Sequence, residues 1–315
     1  MMRPLSRRKF LALTASGLAC TPKAMVARAA ANTLTAGQLV DRILQEIGAT
    51  ADPDTVDTFK AGDPSTTVTG IVTTALPSLR VLDDAVKSGA NLIITCEPTF
   101  FSKADKPTPP VRRMFPPTPN ASPLAPSPPP PPDRVFSAKD AFIREHRLVV
   151  WRFSDHWRLH KPDPFSQGLA NSLGWSKLID RSNPAQIAIP ETSLAALVSH
   201  VKKSLQAQGG MRIVGDPQQR IRNVALLPGT TPIQTSIEVL PGADAIIAGE
   251  VREWESVEYV RDTVALGGKK SLILVGRIVS EEPGMQLCAQ WLNTIVPEVK
   301  TRWISAGDPY WRPIA

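Results

Sequence analysis

The stretch that decides the fold reads TVTGIVTTALPSLRVLDDAVKSGANLIIT and spans residues 67–95. Residues 67–74 are rich in Val, Ile and Thr and predict a strand. Residues 91–95 form a nearly continuous apolar run, which is typical of a strand buried on both faces. Between them, apolar residues recur at helical spacing over 77–88, and Gly89 predicts the end of a helix. Strand, helix and strand in this order predict a parallel βαβ unit and an α/β fold.

The same reasoning extends along the chain in both directions. Apolar residues at helical spacing and suitable capping residues, such as Thr35 and either Thr192 or Ser193, indicate helices, and short Val- and Ile-rich runs indicate strands. Further helices are predicted at 35–47, 137–145, 168–173, 194–206, 255–266 and 283–295, and further strands at 148–153, 211–214, 224–227, 245–248, 271–275 and 301–304.

The N-terminus has the layout of a twin-arginine signal peptide. A basic start containing Arg7 and Arg8 precedes the apolar stretch 10–19, and small residues cluster at 27–31. Basic, apolar and small segments in this order predict export and removal of residues 1–31, since a membrane span would need about twenty apolar residues. We therefore expect a periplasmic or other extracytoplasmic protein with no stable membrane span after signal removal.

Composition limits the partners of the mature chain. The net charge of the full sequence is +7, but residues 1–31 contain six basic and no acidic residues. The mature chain is therefore near neutral and has no basic run, so we expect no nucleic-acid binding. Cys96 and Cys288 are the cysteines that follow the signal, and their sequence leaves open whether they pair.

Residues 106–133 interrupt the α/β pattern. Thirteen prolines lie between Pro107 and Pro132, and the last five are consecutive. Such a segment can neither continue a helix nor pair as a central strand, so it predicts a polyproline-type or disordered insertion. It is either a tolerated surface loop or a docking peptide for a partner.

Acidic and metal-capable side chains follow four of the predicted strands. Glu97, Asp155, Glu250 and Glu281 each come just after a strand, where open α/β sheets place their ligands. Carboxylates gathered at one site repel each other and need a cation to stay ionised together. The sequence therefore predicts one convergent metal site.

Three short blocks in the same order resemble the Nif-three-like family, the dinuclear-metal-centre proteins also labelled GTP cyclohydrolase type 2-like. They are residues 70–105, 243–251 and 274–281. The resemblance implies two intertwined α/β domains, a metal-site domain from 32–175 and 223–315 with a second domain at about 176–222. It also implies a toroidal homo-hexamer.

The resemblance places the family's metal ligands on individual residues of this chain. Its two adjacent ligands, usually His-His before Pro, fall on Cys96 and Glu97, and the Glu of its late Gly-His motif falls on Glu281. Its Asp ligand best matches Asp155, with Asp163 as another candidate and His156 as a ligand that could replace it.

The chain departs from the family at residues of these motifs. The late His of the family is Arg277 here, and Arg cannot ligate a metal. We therefore expect one divalent ion rather than two: Mg²⁺ or Mn²⁺ if carboxylates dominate, Zn²⁺ or Fe²⁺ if Cys96 ligates as thiolate. With Lys103, Arg277 would suit a phosphate or carboxylate ligand. Alternatively, Arg277 merely pairs with Glu281 or Glu250.

Two classes of function follow. The first is a metal-dependent hydrolase of a small phosphorylated or nucleotide-like molecule, with Glu97 or Glu250 as base and His156, Glu250, Arg277 and Lys103 lining the pocket. The second is a non-catalytic protein that binds a ligand or metal at a vestigial site. The sequence leaves open whether the protein is an enzyme.

Overall fold

The computed structural model describes residues 34–49, 52–102, 105, 133–179, 185–207 and 210–310. The predicted signal at 1–31, Lys103 and nearly all of the proline-rich segment lie outside the described residues. The described part belongs to one compact unit, Asn32–Ala315. It is α/β, as the sequence predicts.

The first sheet is mainly parallel and contains the segment quoted above. Its strand order is β1-β4-β3-β2-β10, with β1 antiparallel at one edge. The strands are β1 (Phe59–Ala61), β2 (Ile71–Thr74), β3 (Leu92–Thr95), β4 (Val149–Arg152) and β10 (Thr301–Trp303). Every residue of β2, β3 and β4 is buried, as expected for strands covered on both faces.

The helices of this half begin at side-chain caps. They are α1 (Ala36–Ile47), α2 (Leu79–Lys87) and α3 (Arg134–Glu145). Thr35 forms a capping box with Gln38, and Ser78 and Asp133 cap α2 and α3. Because α2 connects the parallel strands β2 and β3, the predicted βαβ unit is confirmed.

The second sheet is also mixed and has the order β5-β7-β8-β9-β6 within the described residues. Its strands are β5 (Gln186–Ser193), β6 (Arg212–Val214), β7 (Arg220–Thr230), β8 (Ala245–Glu250) and β9 (Ser271–Leu274). The central three strands are parallel and the two edge strands antiparallel. Its helices are α6 (Leu194–Ser204), α7 (Ile233–Val239) and α8 (Glu258–Ala265), with a π-helical turn at Glu253–Val257 before α8.

Three helices lie where the chain passes from one sheet to the other. They are α4 (Asp155–Leu159) and α5 (Pro164–Ser172), between β4 and β5, and the long α9 (Arg277–Ile295), between β9 and β10. Helix α9 packs on α5 so closely that a Cβ on Gly168 would lie 2.5 Å from the Pro283 backbone. It also buries Met285, Cys288 and Leu292 in the core of the first sheet. Its N-terminus is thereby fixed between the two sheets.

The sequence placed the start of α9 incorrectly. The predicted helix spans 283–295, but the helix begins six residues earlier, at Arg277, and contains Pro283. Gly276 ends the preceding extended chain with a φ of 99°, a conformation that glycine adopts at little cost. Arg277 and Glu281 therefore lie one helical turn apart.

Strands β8 and β9 pair within the second sheet, and β10, which follows them among the described residues, belongs to the first sheet. Cys96 and Cys288 are both buried free thiols. Among the described residues, no helix combines the length and apolarity that crossing a bilayer requires.

Candidate metal centre

The loop after β3 holds Cys96 and Glu97 in a tight turn. The backbone N–H of Glu97 donates to the carbonyl of Ala75, at 3.0 Å. The Thr95 hydroxyl donates to the same carbonyl, also at 3.0 Å. These bonds fix the two adjacent side chains at the carboxyl end of the first sheet, where α/β proteins place their ligands.

Helix α9 brings Glu281 to the same place. Cys96, Glu97 and Glu281 each offer one ligand atom, and these atoms all lie within 4.8 Å of one another. All three residues are buried, and Glu97 and Glu281 are only 4% and 3% exposed. We call these three residues the Cys96 cluster.

The electrostatics of the Cys96 cluster favour a cation. Burial first, and then the negative charge of Glu97, raise the pKa of Glu281 to about 8. Burial also raises the pKa of the Cys96 thiol well above its usual value. In addition, Oε2 of Glu281 is buried without a hydrogen-bond partner. Two adjacent buried carboxyl groups, one with an unpartnered oxygen, are a donor set that a divalent ion fits.

Arg277 lies beside this cluster. Its Nη2 donates to Oε1 of Glu97 at 2.5 Å, and its Nε lies 3.8 Å from Oε2 of Glu281. The side chain is 35% exposed, so one side of the guanidinium faces solvent. Arg277 thus supplies positive charge to both carboxyl groups from outside the cluster.

A second arginine, Arg158 on α4, was not predicted from the sequence. Its Nη2 lies 3.6 Å from Oε1 of Glu281, and its Nη1 lies 3.9 Å from Oδ1 of Asp163. The guanidinium stacks over Phe165, with 4.2 Å from Cζ to the ring centroid. No feature of the sequence distinguishes Arg158 from surface arginines, because its position depends on how the short helix α4 is oriented.

The Cys96 cluster does not include the candidates for the family's Asp ligand, which are Asp155, Asp163 and His156. Asp155 is exposed, and its Oδ2 accepts hydrogen bonds from Thr55 Oγ1 at 3.1 Å and the Val56 N–H at 3.0 Å. His156 is buried, and its Nδ1 donates to Oδ2 of Asp57 at 2.9 Å. Asp155 and His156 therefore have partners of their own around the loop before β1.

Asp163 is connected to the Cys96 cluster by its contacts, and Asp155 is not. It caps α5, and its Oδ2 accepts from the Ser166 N–H and hydroxyl. Its Oδ1 is buried without a hydrogen-bond partner and faces Arg158, which in turn faces Glu281. Asp163, the other candidate for the family's Asp ligand, is thus connected to Glu281 through Arg158.

A cavity of about 740 Å³ adjoins Arg277. Glu250, exposed at the end of β8, lines this cavity together with Arg277. The structure therefore brings Cys96, Glu97, Glu281, Arg277 and Glu250 to one region, and Lys103 lies outside the described residues.

The donor set is mixed. A thiolate suits Zn²⁺ and Fe²⁺, and carboxylates suit Mg²⁺ and Mn²⁺, so a Cys–Glu–Glu group is compatible with either kind of ion. Three protein ligands leave coordination positions open, as catalytic rather than structural sites do. A second ion would need further ligand atoms beside the cluster. The described residues there include two arginines, Arg158 and Arg277, and a guanidinium cannot coordinate a metal.

Residues 164–309 match the family model of the Duf34/NIF3 proteins, NGG1p interacting factor 3. No curated protein matches the chain. Similar solved structures include a Bacillus cereus protein related to NIF3, with 13% identity, a TM-score of 0.63, and coverage of 89% of this chain and 99% of that one.

Two further structures give the same result. A Staphylococcus aureus protein has 15% identity and a TM-score of 0.62, covering 90% of this chain and all of that one. The protein ybgI, described as of unknown function, has 20% identity and a TM-score of 0.63, covering 88% of this chain and all of that one. At these identities the likeness is one of fold.

Proposed function

We propose that this chain, whose residues 164–309 match the Duf34/NIF3 family model, is a divergent member of that family and binds a single divalent metal ion at Cys96, Glu97 and Glu281. We further propose that the cavity beside Arg277 accepts a small ligand, phosphorylated or nucleotide-like. The metal site is then a reduced form of the dinuclear centre that the family resemblance implies.

The observation that carries the proposal is the pairing of Glu97 with Glu281. Both side chains are almost fully buried, and Oε2 of Glu281 has no hydrogen-bond partner. Burying two carboxyl groups side by side is costly unless a proton or a cation neutralises them. A divalent ion would neutralise both and would also favour the thiolate form of Cys96.

Arg277 is the reason to propose one ion rather than two. It stands where the resemblance places a His ligand, and a guanidinium cannot coordinate a metal. Its hydrogen bond to Glu97 instead supplies fixed positive charge at the edge of the cluster. Arg158 does the same for Glu281 and Asp163.

The activity that this arrangement supports is hydrolysis of a small phosphorylated or nucleotide-like molecule. A bound divalent ion would supply Lewis-acid chemistry at the cluster. Arg277 would hold an anionic group of the ligand through charge-assisted hydrogen bonds, and Glu250, exposed in the same cavity, would accept a proton. The non-catalytic alternative is ligand binding without turnover.

Thermal melting with and without divalent ions tests metal binding. Binding at a hundredfold excess over Kd would stabilise the protein by about 2.7 kcal/mol. We expect this shift in the wild type and not in Glu281→Ala. The matched control is Glu258→Ala, which removes an exposed carboxylate that pairs with Arg261 on α8. Equal shifts in both variants would refute the proposed site.

A screen of phosphate esters and nucleotides on the metal-loaded protein tests catalysis. Turnover that a chelator abolishes and that Glu281→Ala lacks would support the hydrolase. Ligand-dependent melting with no turnover would instead support the non-catalytic alternative.

We also propose that the protein is exported by the twin-arginine route. Changing Arg7 and Arg8 to lysine should then retain the precursor in the cytoplasm, since this route reads the arginine pair. N-terminal sequencing of the exported wild type should begin near residue 32. An exported double variant would contradict the twin-arginine route.

A further inference from the structure

The cavity next to Arg277 is formed where β8 and β9, two of the three central strands of the second sheet, end. Its walls are the first turn of α9, the ends of those strands, the start of β6 and the chain segment Asp308–Tyr310. Its charged lining residues are Arg212, Glu250, Glu253, Arg277 and Asp308. Arg212 and Glu253 form an ion pair with each other, so their charges cancel.

Arg277 belongs to both the cavity and the Cys96 cluster. One edge of its guanidinium hydrogen-bonds Glu97, and the side chain is 35% exposed. A guanidinium has five N–H donors, and two oxygens of one oxyanion can accept hydrogen bonds from two of these donors at once. The cation is therefore shared between the buried carboxylate and any anion in the cavity.

We infer that the cavity binds a small oxyanion, such as a phosphate or sulfate group, and that this oxyanion and the metal ion strengthen each other's binding through Arg277. The inference rests on the proposed metal site. It adds that the cavity binds the anionic group of the ligand at full strength only when the metal ion is present.

The physical reason is competition for Glu97. A divalent ion at the cluster and the guanidinium of Arg277 would both be attracted to the Glu97 carboxylate and would repel each other. The open cavity is the space that Arg277 already faces, and an oxyanion there offsets the repulsion. Because coupling between two bound ligands is reciprocal, the metal must strengthen oxyanion binding by the same factor.

Glu250 opposes the oxyanion. Its exposed carboxylate lines the cavity, and its charge acts on Arg277. Glu250 would therefore hold Arg277 in the cavity when no oxyanion is bound. Glu250→Gln should increase the affinity for the oxyanion.

Calorimetric titration of Mn²⁺ in sodium sulfate and in sodium chloride of equal ionic strength measures the coupling. Sulfate carries the oxyanion chemistry and binds Mn²⁺ weakly in solution. We expect Mn²⁺ to bind about tenfold tighter in sulfate, within the usual range of coupling between sites. Arg277→Gln should bind Mn²⁺ equally in both salts, and Arg277→Lys should show a reduced difference.

The control for net charge is Arg261→Gln on α8, whose arginine pairs with Glu258 and which should keep the full sulfate effect. Equal Mn²⁺ affinity in the two salts for the wild type would overturn the coupling while leaving the metal site intact. Retention of the sulfate effect in both Arg277 variants would overturn the role of Arg277. Absence of Mn²⁺ binding in either salt would overturn the proposed metal site together with the coupling.

Discussion

Arg277 donates a hydrogen bond from Nη2 to Oε1 of Glu97 over 2.5 Å, and this bond joins the first turn of α9 to the loop after β3. The two residues are 180 positions apart in sequence. The bond places a permanent cation where the family resemblance implies a metal-ligating His. The proposal of one metal ion per chain rests on this relationship.

Arg277→His should raise the metal stoichiometry from one ion per chain to two. The variant removes the fixed positive charge and supplies an imidazole, a common ligand for divalent transition metals. Elemental analysis of the protein after loading with Zn²⁺ measures the result. Arg277→Gln is the control, because it removes the charge without adding a ligand. A stoichiometry of one in Arg277→His would show that the chain lacks the other donors for a second ion.

Cys96→Ser should abolish the thiolate-to-metal absorption of the Co²⁺-loaded protein. Cys96 is fully buried and burial raises the pKa of its thiol, so only a bound cation would favour the thiolate. Cys288→Ser is the matched control, since this thiol is also fully buried but lies on α9, in the core of the first sheet. An absorption band that survives in Cys96→Ser would place the metal elsewhere.

Gly229→Ala on β7 should weaken metal binding by about tenfold or more, as loss of support around metal ligands commonly does. A Cβ at this position would lie 2.5 Å from Oε1 of Glu281 and 3.3 Å from Nη2 of Arg158. The new methyl group would therefore displace the carboxylate from its place in the Cys96 cluster. Titration calorimetry measures the change.

Gly174→Ala is a closely matched control for this effect. Both glycines have positive φ, +87° at Gly229 and +76° at Gly174, so both variants carry a similar backbone cost of about 1–2 kcal/mol. No atom would lie within 4 Å of the added Cβ at Gly174. Equal metal affinity in the two variants would contradict the role assigned to Glu281.

Lys139 should make the protein more stable as pH rises from about 8 to 10.5. Burial on α3 lowers the pKa of its ammonium group from 10.5 to about 8. Between these values the unfolded chain binds a proton that the folded chain has released, so the free energy of unfolding increases with pH. The full gain is at most about 3 kcal/mol.

Lys139→Met isolates this contribution, because Met keeps the chain length and can be buried without a charge. Its free energy of unfolding should exceed that of the wild type at pH 7, and the difference should shrink towards pH 10.5. Denaturant unfolding of both proteins across this pH range is the measurement. A constant difference would mean that the hydrogen bond from Lys139 to the Thr99 carbonyl offsets the cost of burying the charge.

The sequence was informative where local pattern determines structure. The buried strands β2 and β3 and the helix between them follow from apolar runs and a Ser cap, and the described chain has them as predicted. The sequence placed Cys96 and Glu97 just after a strand for the same reason, and they lie directly after β3. The start of α9 was predicted six residues too late, because α9 contains Pro283, and proline is ordinarily found in the first turn of a helix.

The rest of the site depends on tertiary structure that no local pattern encodes. Asp155 follows a strand as Glu97 does, yet its carboxylate bonds the loop at Thr55 and Val56. Arg158 reaches Glu281 only because α4 is oriented by Asp57, whose Oδ1 accepts from the N–H groups of Ser154 and Asp155. Long-range bonds of this kind leave no periodic signal in the sequence.

The measurement that tests the central claim most directly is elemental mass spectrometry of the protein, purified without chelator, beside Glu281→Ala. We predict one divalent ion per chain in the wild type and none in the variant. Two ions per chain would contradict the replacement of a metal by Arg277. No ion in the wild type, after loading with Mn²⁺, Zn²⁺ or Fe²⁺, would contradict a metal site at Cys96, Glu97 and Glu281.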